Sequence, residues 1–300
     1  MDMTQNKCCR HGASLRRRRR RRRKILCSII FSCSIIAVAV FVAVGSRMIR
    51  SGDGRTNKYD VEAGNNTYDD AVIENSKISE KNKIQNNQSM LDDIMNSTQY
   101  PKQLKDLALK NEEALEFVYD YPAEHVKEHT IDLTEEASMD SVPLFVQWDK
   151  RWGYEKYSGN FFAASGCGPT TLSMVVVYLT HNREASPIAV AKYSKEAGYS
   201  VDGSGSSWTL ISEGCMHYGV KAKTVALDES RMKAELDEGH PIVVNVGPGD
   251  FTDTGHFMVI TGYDDEGFSI NDPNSIEKSG KRWLFKNISS QIRAVWSMYV

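Results

Sequence analysis

Three residues far apart in the chain are of the types a thiol hydrolase needs: Cys167, His256 and Asp272. Cys167 lies in Ser165-Gly166-Cys167-Gly168-Pro169-Thr170-Thr171. Proline fits the first turn of a helix, where an amide N–H would be unpaired anyway. The cysteine then sits at the positive end of that helix, where free N–H groups favour an anion and lower a thiol pKa. Flanking glycines keep the approach to sulfur open and leave main-chain N–H groups able to face a developing oxyanion. A structural cysteine at a helix start is the plain alternative. His256 opens an apolar run over 257–263, and a histidine on rigid strand backbone suits a general base. Asp272 ends the next run, in Asn271-Asp272-Pro273. If the two runs pair through a tight turn near Asp265-Glu266-Gly267, Asp272 returns beside His256. A carboxylate there would hold the imidazole tautomer and support its protonated form. Against this, Asp-Pro is a common turn pair and a single histidine is often structural.

Positioning these groups calls for helices followed by strands. Residues 169–180, 188–197, 207–218 and 229–238 read as helices, the last ended by Gly239 and Pro241. Residues 242–246, 257–263, 268–271 and 295–299 read as strands. That order predicts an α+β domain over 141–300, with the nucleophile at a helix N-terminus and His and Asp on an antiparallel sheet. The stretch 199–208, with Gly203, Gly205 and several serines, reads as a mobile loop beside the cleft. Trp148 and Trp208 either line that cleft or belong to the core. His217 and His240 occupy ordinary structural positions with no second ligand type close by, so no metal site is expected. No cofactor is expected either, since neither a phosphate-binding glycine loop nor carboxylates spaced for glycoside hydrolysis occur.

The residues Val142-Pro143-Leu144, Gln147-Trp148-Asp149-Lys150-Arg151-Trp152-Gly153, Gly166-Cys167-Gly168-Pro169-Thr170, Gly255-His256-Phe257 and Asn271-Asp272-Pro273 follow one another in order. Together they resemble the peptidase C39-like family, a papain-like cysteine peptidase group common on bacterial cell surfaces. The resemblance covers residues 141–300 and implies a papain-like fold. It implies Cys167 as nucleophile, His256 as general base and Asp272 as the residue orienting it. Papain-like sites add an upstream glutamine as oxyanion donor. Gln147 is the only glutamine between Ser141 and Cys167, though at a longer spacing than in better-known relatives; Asn160 is nearer but shorter. Family members that process double-glycine leader peptides are fused to transporter domains. This chain has one apolar span and no nucleotide-binding motif, so that role is not carried over.

The rest of the chain reads as apparatus for placing the domain. Overall net charge is −2, which conceals +12 over residues 1–50, −11 over 51–140 and −3 over 141–300. The run Arg16–Arg23 with Lys24 adjoins 20 residues without a charge, Ile25 to Val44. As a helix these would rise ~30 Å, the thickness of a bilayer core. The expected organisation is a basic cytoplasmic tail (1–24), a transmembrane helix (25–44), a disordered polar spacer (45–99), a helical linker (100–140) and the peptidase-like domain (141–300). A cleaved signal peptide is the competing reading, disfavoured by the length of the apolar run. The charge difference across the span puts the N-terminus in the cytoplasm and the domain outside, a single-pass protein of the cell membrane. Membrane lipid is then the partner of residues 16–44, and nucleic acid is not expected. Cys8 and Cys9 could carry an acyl chain, and four Asn-X-Ser/Thr sites matter only in a eukaryotic secretory pathway.

Two functions follow. One is a membrane-anchored extracytoplasmic cysteine peptidase or amidase that cleaves a peptide or isopeptide bond in a peptide or protein substrate, cell-wall peptide among the candidates. The other is a non-catalytic surface binding or scaffold module on the same fold. A Cys167–Cys215 disulfide would favour the second, and two free thiols are expected.

Overall fold

The computed structural model describes residues 67–300, with side chains from residue 79 onward. The stretches expected to be a basic tail (1–24), a transmembrane helix (25–44) and the first part of a spacer lie outside the described residues. Among the described residues no helix is long and apolar enough to cross a membrane.

The first described element corrects the sequence reading. Residues Thr67–Asn96 form a helix, α1, where a disordered spacer was expected. Its polar composition conceals a short apolar stripe at its C-terminal end: Ile94 is fully buried, and Met90 and Leu91 pack beside it. Docking that stripe supplies burial that the local composition does not suggest. The expected helical linker begins with α2 (Lys102–Lys110), a 3₁₀ turn (Glu112–Ala114) and α3 (Leu115–Tyr119). Leu104, Leu107, Ala114, Leu115, Phe117 and Val118 form one apolar cluster that also takes in Phe161 and Ala163. The segment expected to be a linker is therefore packed onto the domain beyond it.

Helix α4 (Cys167–Thr180) is buried without interruption from Gly168 to Val177. It ends at His181, a left-handed residue (φ 57°) whose Nδ1 meets Ala137 O at 2.7 Å. Helix α5 (Pro187–Glu196) begins at Ser186, whose hydroxyl accepts from Ala189 N–H. The helix expected over 207–218 is two pieces, Thr209–Ser212 and a 3₁₀ segment Gly214–Tyr218. Glu213 leaves the helical region between them (φ −127°). Helix α6 (Glu229–Asp237) is capped by the Asp228 side chain.

Six strands form one antiparallel sheet: β1 (Lys221–Thr224), β2 (Ile242–Val246), β3 (His256–Asp264), β4 (Gly267–Asn271), β5 (Arg282–Trp283) and β6 (Ile292–Tyr299). Their order across the sheet is β1-β6-β2-β3-β4-β5. Every residue of β2 is buried, because the sheet is covered on both faces. One face carries Val243, Phe257 and Val259 against α4 and α5; the other carries Val244, Val246, Met258 and Ile260 against α6. The architecture is α+β, with helices leading and an antiparallel sheet following.

Candidate active site

The approach to Cys167 is built from a tight hairpin. Lys156 pairs with Phe161 and Tyr157 with Asn160. Between them Ser158 and Gly159 both have positive φ (53° and 77°), the geometry that matches the twist of a two-residue hairpin. A helical turn follows at Phe162–Ser165, where the Ser165 hydroxyl donates to Tyr157 O (2.8 Å) and Phe161 O (3.0 Å). Gly166 then caps α4, and Cys167 is its first residue. A Cβ at Gly168 would lie 2.6 Å from Ser206 Oγ, so the residue after the nucleophile must be glycine for the neighbouring hairpin to approach. That hairpin, Ser200–Val201 with Gly205–Ser206, occupies the stretch expected to be a mobile loop. It is tied down by Gly205 N–H to Ser158 Oγ (2.9 Å), Gly203 N–H to Ser158 O (2.9 Å) and Tyr157 hydroxyl to Ser206 (2.6 Å).

His256 is the first residue of β3 and pairs across the sheet with Val246. Asn245 Nδ2–H donates to its carbonyl (3.2 Å), fixing the backbone there. The last ladder pair between β3 and β4 is Val259 with Asn271. Asp272 leaves the strand just past it, diagonal to His256, still within reach of a long side chain. His256 Nε2–H donates to Asp272 Oδ1 (2.7 Å), with both side chains buried. Nε2 being committed, Nδ1 is the nitrogen left for the thiol, and His256 hydrogen-bonds Cys167. Asp272 is fixed in turn by Asn274 N–H, which donates to the same Oδ1 (2.8 Å), and by Ser279 Oγ, which accepts from Asp272 N–H (2.9 Å).

The charges reinforce one another. Burial opposes the thiolate of Cys167, but the hydrogen bond and charge of His256, with the N–H groups of Phe257 and Gly168 facing the sulfur, hold its pKa below the ordinary value. Burial also opposes the imidazolium. The charge and hydrogen bond of Asp272 outweigh it, with help from Cys167, and lift His256 to about 10. Both shifts favour a thiolate–imidazolium pair. The other domain cysteine contrasts with it: Cys215 is fully buried, and desolvation raises its thiol to about 11. Cys167 and Cys215 are both free thiols, as expected, and Cys167 is partly open to solvent.

Gln147 is buried near the same centre. Its Nε2–H donates to Ala163 O (2.7 Å), four residues before the cysteine, and its main-chain N–H donates to Pro273 O (2.7 Å), the residue after Asp272. It thus ties the segment leading to the nucleophile to the loop that carries the carboxylate. Asn160 instead accepts from the next main-chain N–H, Phe161 (2.8 Å), within its hairpin. Trp148 is half-buried and bonded to Asn274 O (3.3 Å), whereas Trp208 is exposed and packs edge-on to Trp296. His217 stacks on Tyr193 and His240 pairs with Glu235, both away from these residues. Sequence reasoning missed Asn245, Asn274 and Ser279. Only Asn245 left a signal, as the one polar residue of the run 242–246.

The Peptidase_C39 like family model matches residues 139–300. The chain belongs to this family. Among solved structures the chain is similar to the peptidase domain of Streptococcus ComA, a bi-functional ABC transporter involved in a quorum-sensing pathway. Identity is 19%, coverage is 53% of this chain and 96% of that one, and the TM-score is 0.39. It is also similar to a C39-like peptidase from Bacillus anthracis, at 17% identity, 53% and 95% coverage and a TM-score of 0.33. No curated protein matches. Family membership carries with it the papain-like α+β fold described above.

Proposed function

We propose that the chain is a cysteine peptidase or amidase, with Cys167 as nucleophile, His256 as general base and acid, and Asp272 as the residue orienting His256. The observation that carries this reading is a buried His256–Asp272 pair at 2.7 Å, whose histidine acts electrostatically on Cys167, a partly exposed residue at the N-terminus of α4. The Cys167 thiolate attacks the carbonyl carbon of a peptide or isopeptide bond. His256 then delivers its Nδ1 proton to the departing amine, leaving a thioester. The neutral imidazole takes a proton from water as it attacks that thioester, and the thiolate returns with release of the acid. Asp272 accepts from Nε2–H throughout, which keeps Nδ1 facing the sulfur. The oxyanion is assigned to the main-chain N–H of Cys167 and to Gln147, whose amide nitrogen has a second N–H beyond the one given to Ala163.

We propose further that the apolar stretch at 25–44 anchors the domain outside a membrane, with the arginine run on the cytoplasmic side. Its substrate is a peptide or protein on that outer side, cell-wall peptide among the candidates. The 20 charge-free residues beside nine basic ones support this placement. The binding-module alternative would have drawn support from a Cys167–Cys215 crosslink, and both thiols are free. Cys167→Ala tests the reading. The variant is expected to keep the circular dichroism and melting temperature of the parent while losing hydrolysis of a peptide library and thioester capture by an activated peptide probe. Unchanged hydrolysis in Cys167→Ala would overturn it.

A further inference from the structure

We propose that Asn111 and Glu113, which precede the family domain, are positioning residues that set the aim of Asp272 at His256. The inference rests on the nucleophile assignment above and concerns what holds that site in register. The loop after β4 carries Asp272, and within the domain it is held at Pro273 O by Gln147 N–H, at Asn274 O by Trp148 Nε1–H and at Asp272 N–H by Ser279 Oγ. From the other side it is gripped by the 3₁₀ turn between α2 and α3. Asn111 Nδ2–H reaches Asn274 O (2.9 Å) and Asn274 Oδ1 (3.1 Å). Glu113 accepts from the hydroxyl of Ser275 and from the main-chain N–H groups of Ile276 (2.7 Å) and Glu277 (3.1 Å). The two gripping residues are locked to each other, since Glu113 N–H donates to Asn111 Oδ1 (3.0 Å).

What is gripped bears directly on the relay. Asn274 N–H donates to Asp272 Oδ1, the same oxygen that accepts from His256 Nε2–H. The residue that Asn111 holds by its carbonyl therefore orients the carboxylate by its own N–H. Ser275 N–H closes the turn back onto Asp272 O (3.2 Å), so the Glu113 contact fixes the other side of the same turn. Docking of α2 and α3 alone would need only their apolar cluster. Five polar contacts aimed at 274–277 exceed what that docking requires. A charged acceptor facing three donors is also among the stronger arrangements available. Misplacing a positioned catalytic group by a fraction of an ångström is enough to lower a rate substantially.

The test uses the full-length chain with Glu113→Ala, Glu113→Gln and Asn111→Ala. Two quantities are read: hydrogen–deuterium exchange in peptides spanning 270–279, and the pH profile of iodoacetamide labelling at Cys167 by mass spectrometry. Exchange in 270–279 is expected to quicken in Glu113→Ala. The midpoint of the Cys167 labelling profile is expected to move to higher pH, because a misaimed Asp272 supports the imidazolium beside the thiolate less well. Glu113→Gln, which keeps an acceptor of the same reach, should recover most of both. Faster exchange with an unchanged labelling profile would mean that the grip is merely structural and would overturn the proposal, as would unchanged exchange. If the unsubstituted chain itself titrates at Cys167 like an ordinary thiol, the nucleophile assignment falls first and the inference falls with it.

Discussion

Nearly all the polar atoms of the relay are buried, and burial alone would leave it uncharged. Cys167 and His256 each lose solvation, and each is nonetheless held in its charged form by the other and by Asp272. The pH dependence follows from the signs of these shifts. Cys167 should be alkylated at pH values well below about 8.5, where an ordinary thiol is mostly protonated, while Cys215, raised to about 11, stays unlabelled in the folded chain. The pKa of His256 is raised, so its protonated form is present below the ordinary imidazole range and persists until the pH passes about 10. Hydrolysis should therefore decline as pH rises through about 10, for want of an acid to protonate the departing amine, while alkylation of the thiolate does not. Steady-state rates and labelling rates over pH 5 to about 11 separate the two limbs. Asp272→Ala removes the acceptor on Nε2 and should lower kcat by roughly 10²-fold, with a smaller change in KM. Cys167, His256 and Asp272, the residues of the proposed relay, could be picked out in the sequence by type and order, because a thiol, an imidazole and a carboxylate are chemically distinctive. The structure brings His256 and Asp272 into contact. Asn274 could not be picked out, since it acts through its main-chain N–H and nothing in its side chain reveals that.

At the scale of elements, what positions the thiol is how closely two pieces of backbone approach. Gly168 faces Ser206 at a separation that leaves no room for a methyl group. Gly168→Ala should destabilise the fold by about 1–3 kcal/mol, the usual cost of overpacking, and lower turnover by shifting the start of α4 against the 200–206 hairpin. Ser206→Gly in the same chain should restore both, read as chemical-denaturation midpoint and kcat. Failure of the second substitution to rescue would mean that the damage lies elsewhere. The strands were legible in the sequence because β2, β3 and β4 are continuous apolar runs with punctuated ends. The breaks at Glu213 and at Asn111 were not, because helical periodicity continues across both. The break at Asn111 follows from a tertiary contact: Asn111 turns out of the helix to bond with Asn274, 163 residues away. Short edge strands such as β5 likewise exist only through pairing with β4.

Across the whole of residues 68–300 the chain packs as one compact unit, in which α1–α3 share an apolar cluster with Phe161 and Ala163 of the segment leading to the nucleophile. Leu104 is fully buried in that cluster. Leu104→Ala should cost about 2–5 kcal/mol and, in a two-state chain, move the whole unfolding transition rather than split it. Intrinsic fluorescence and Cys215 accessibility would then report coincident midpoints, and separated midpoints would show that the leading helices fold apart from the domain. Composition hid this union, since α1 is polar along most of its length and only its last turns carry the stripe that docks. The topology of the sheet has a further consequence, one of timing. Of the six strands of this sheet the last in chain order, β6, is an inner one, lying between β1 and β2. Until residues 292–299 have been made, β2 lacks one neighbour and β1 has none in the sheet. His256, whose strand pairs with β2, has no finished scaffold to stand on. On the function proposed above, an elongating polypeptide would carry Cys167 as a dormant group until residues 292–299 are in place.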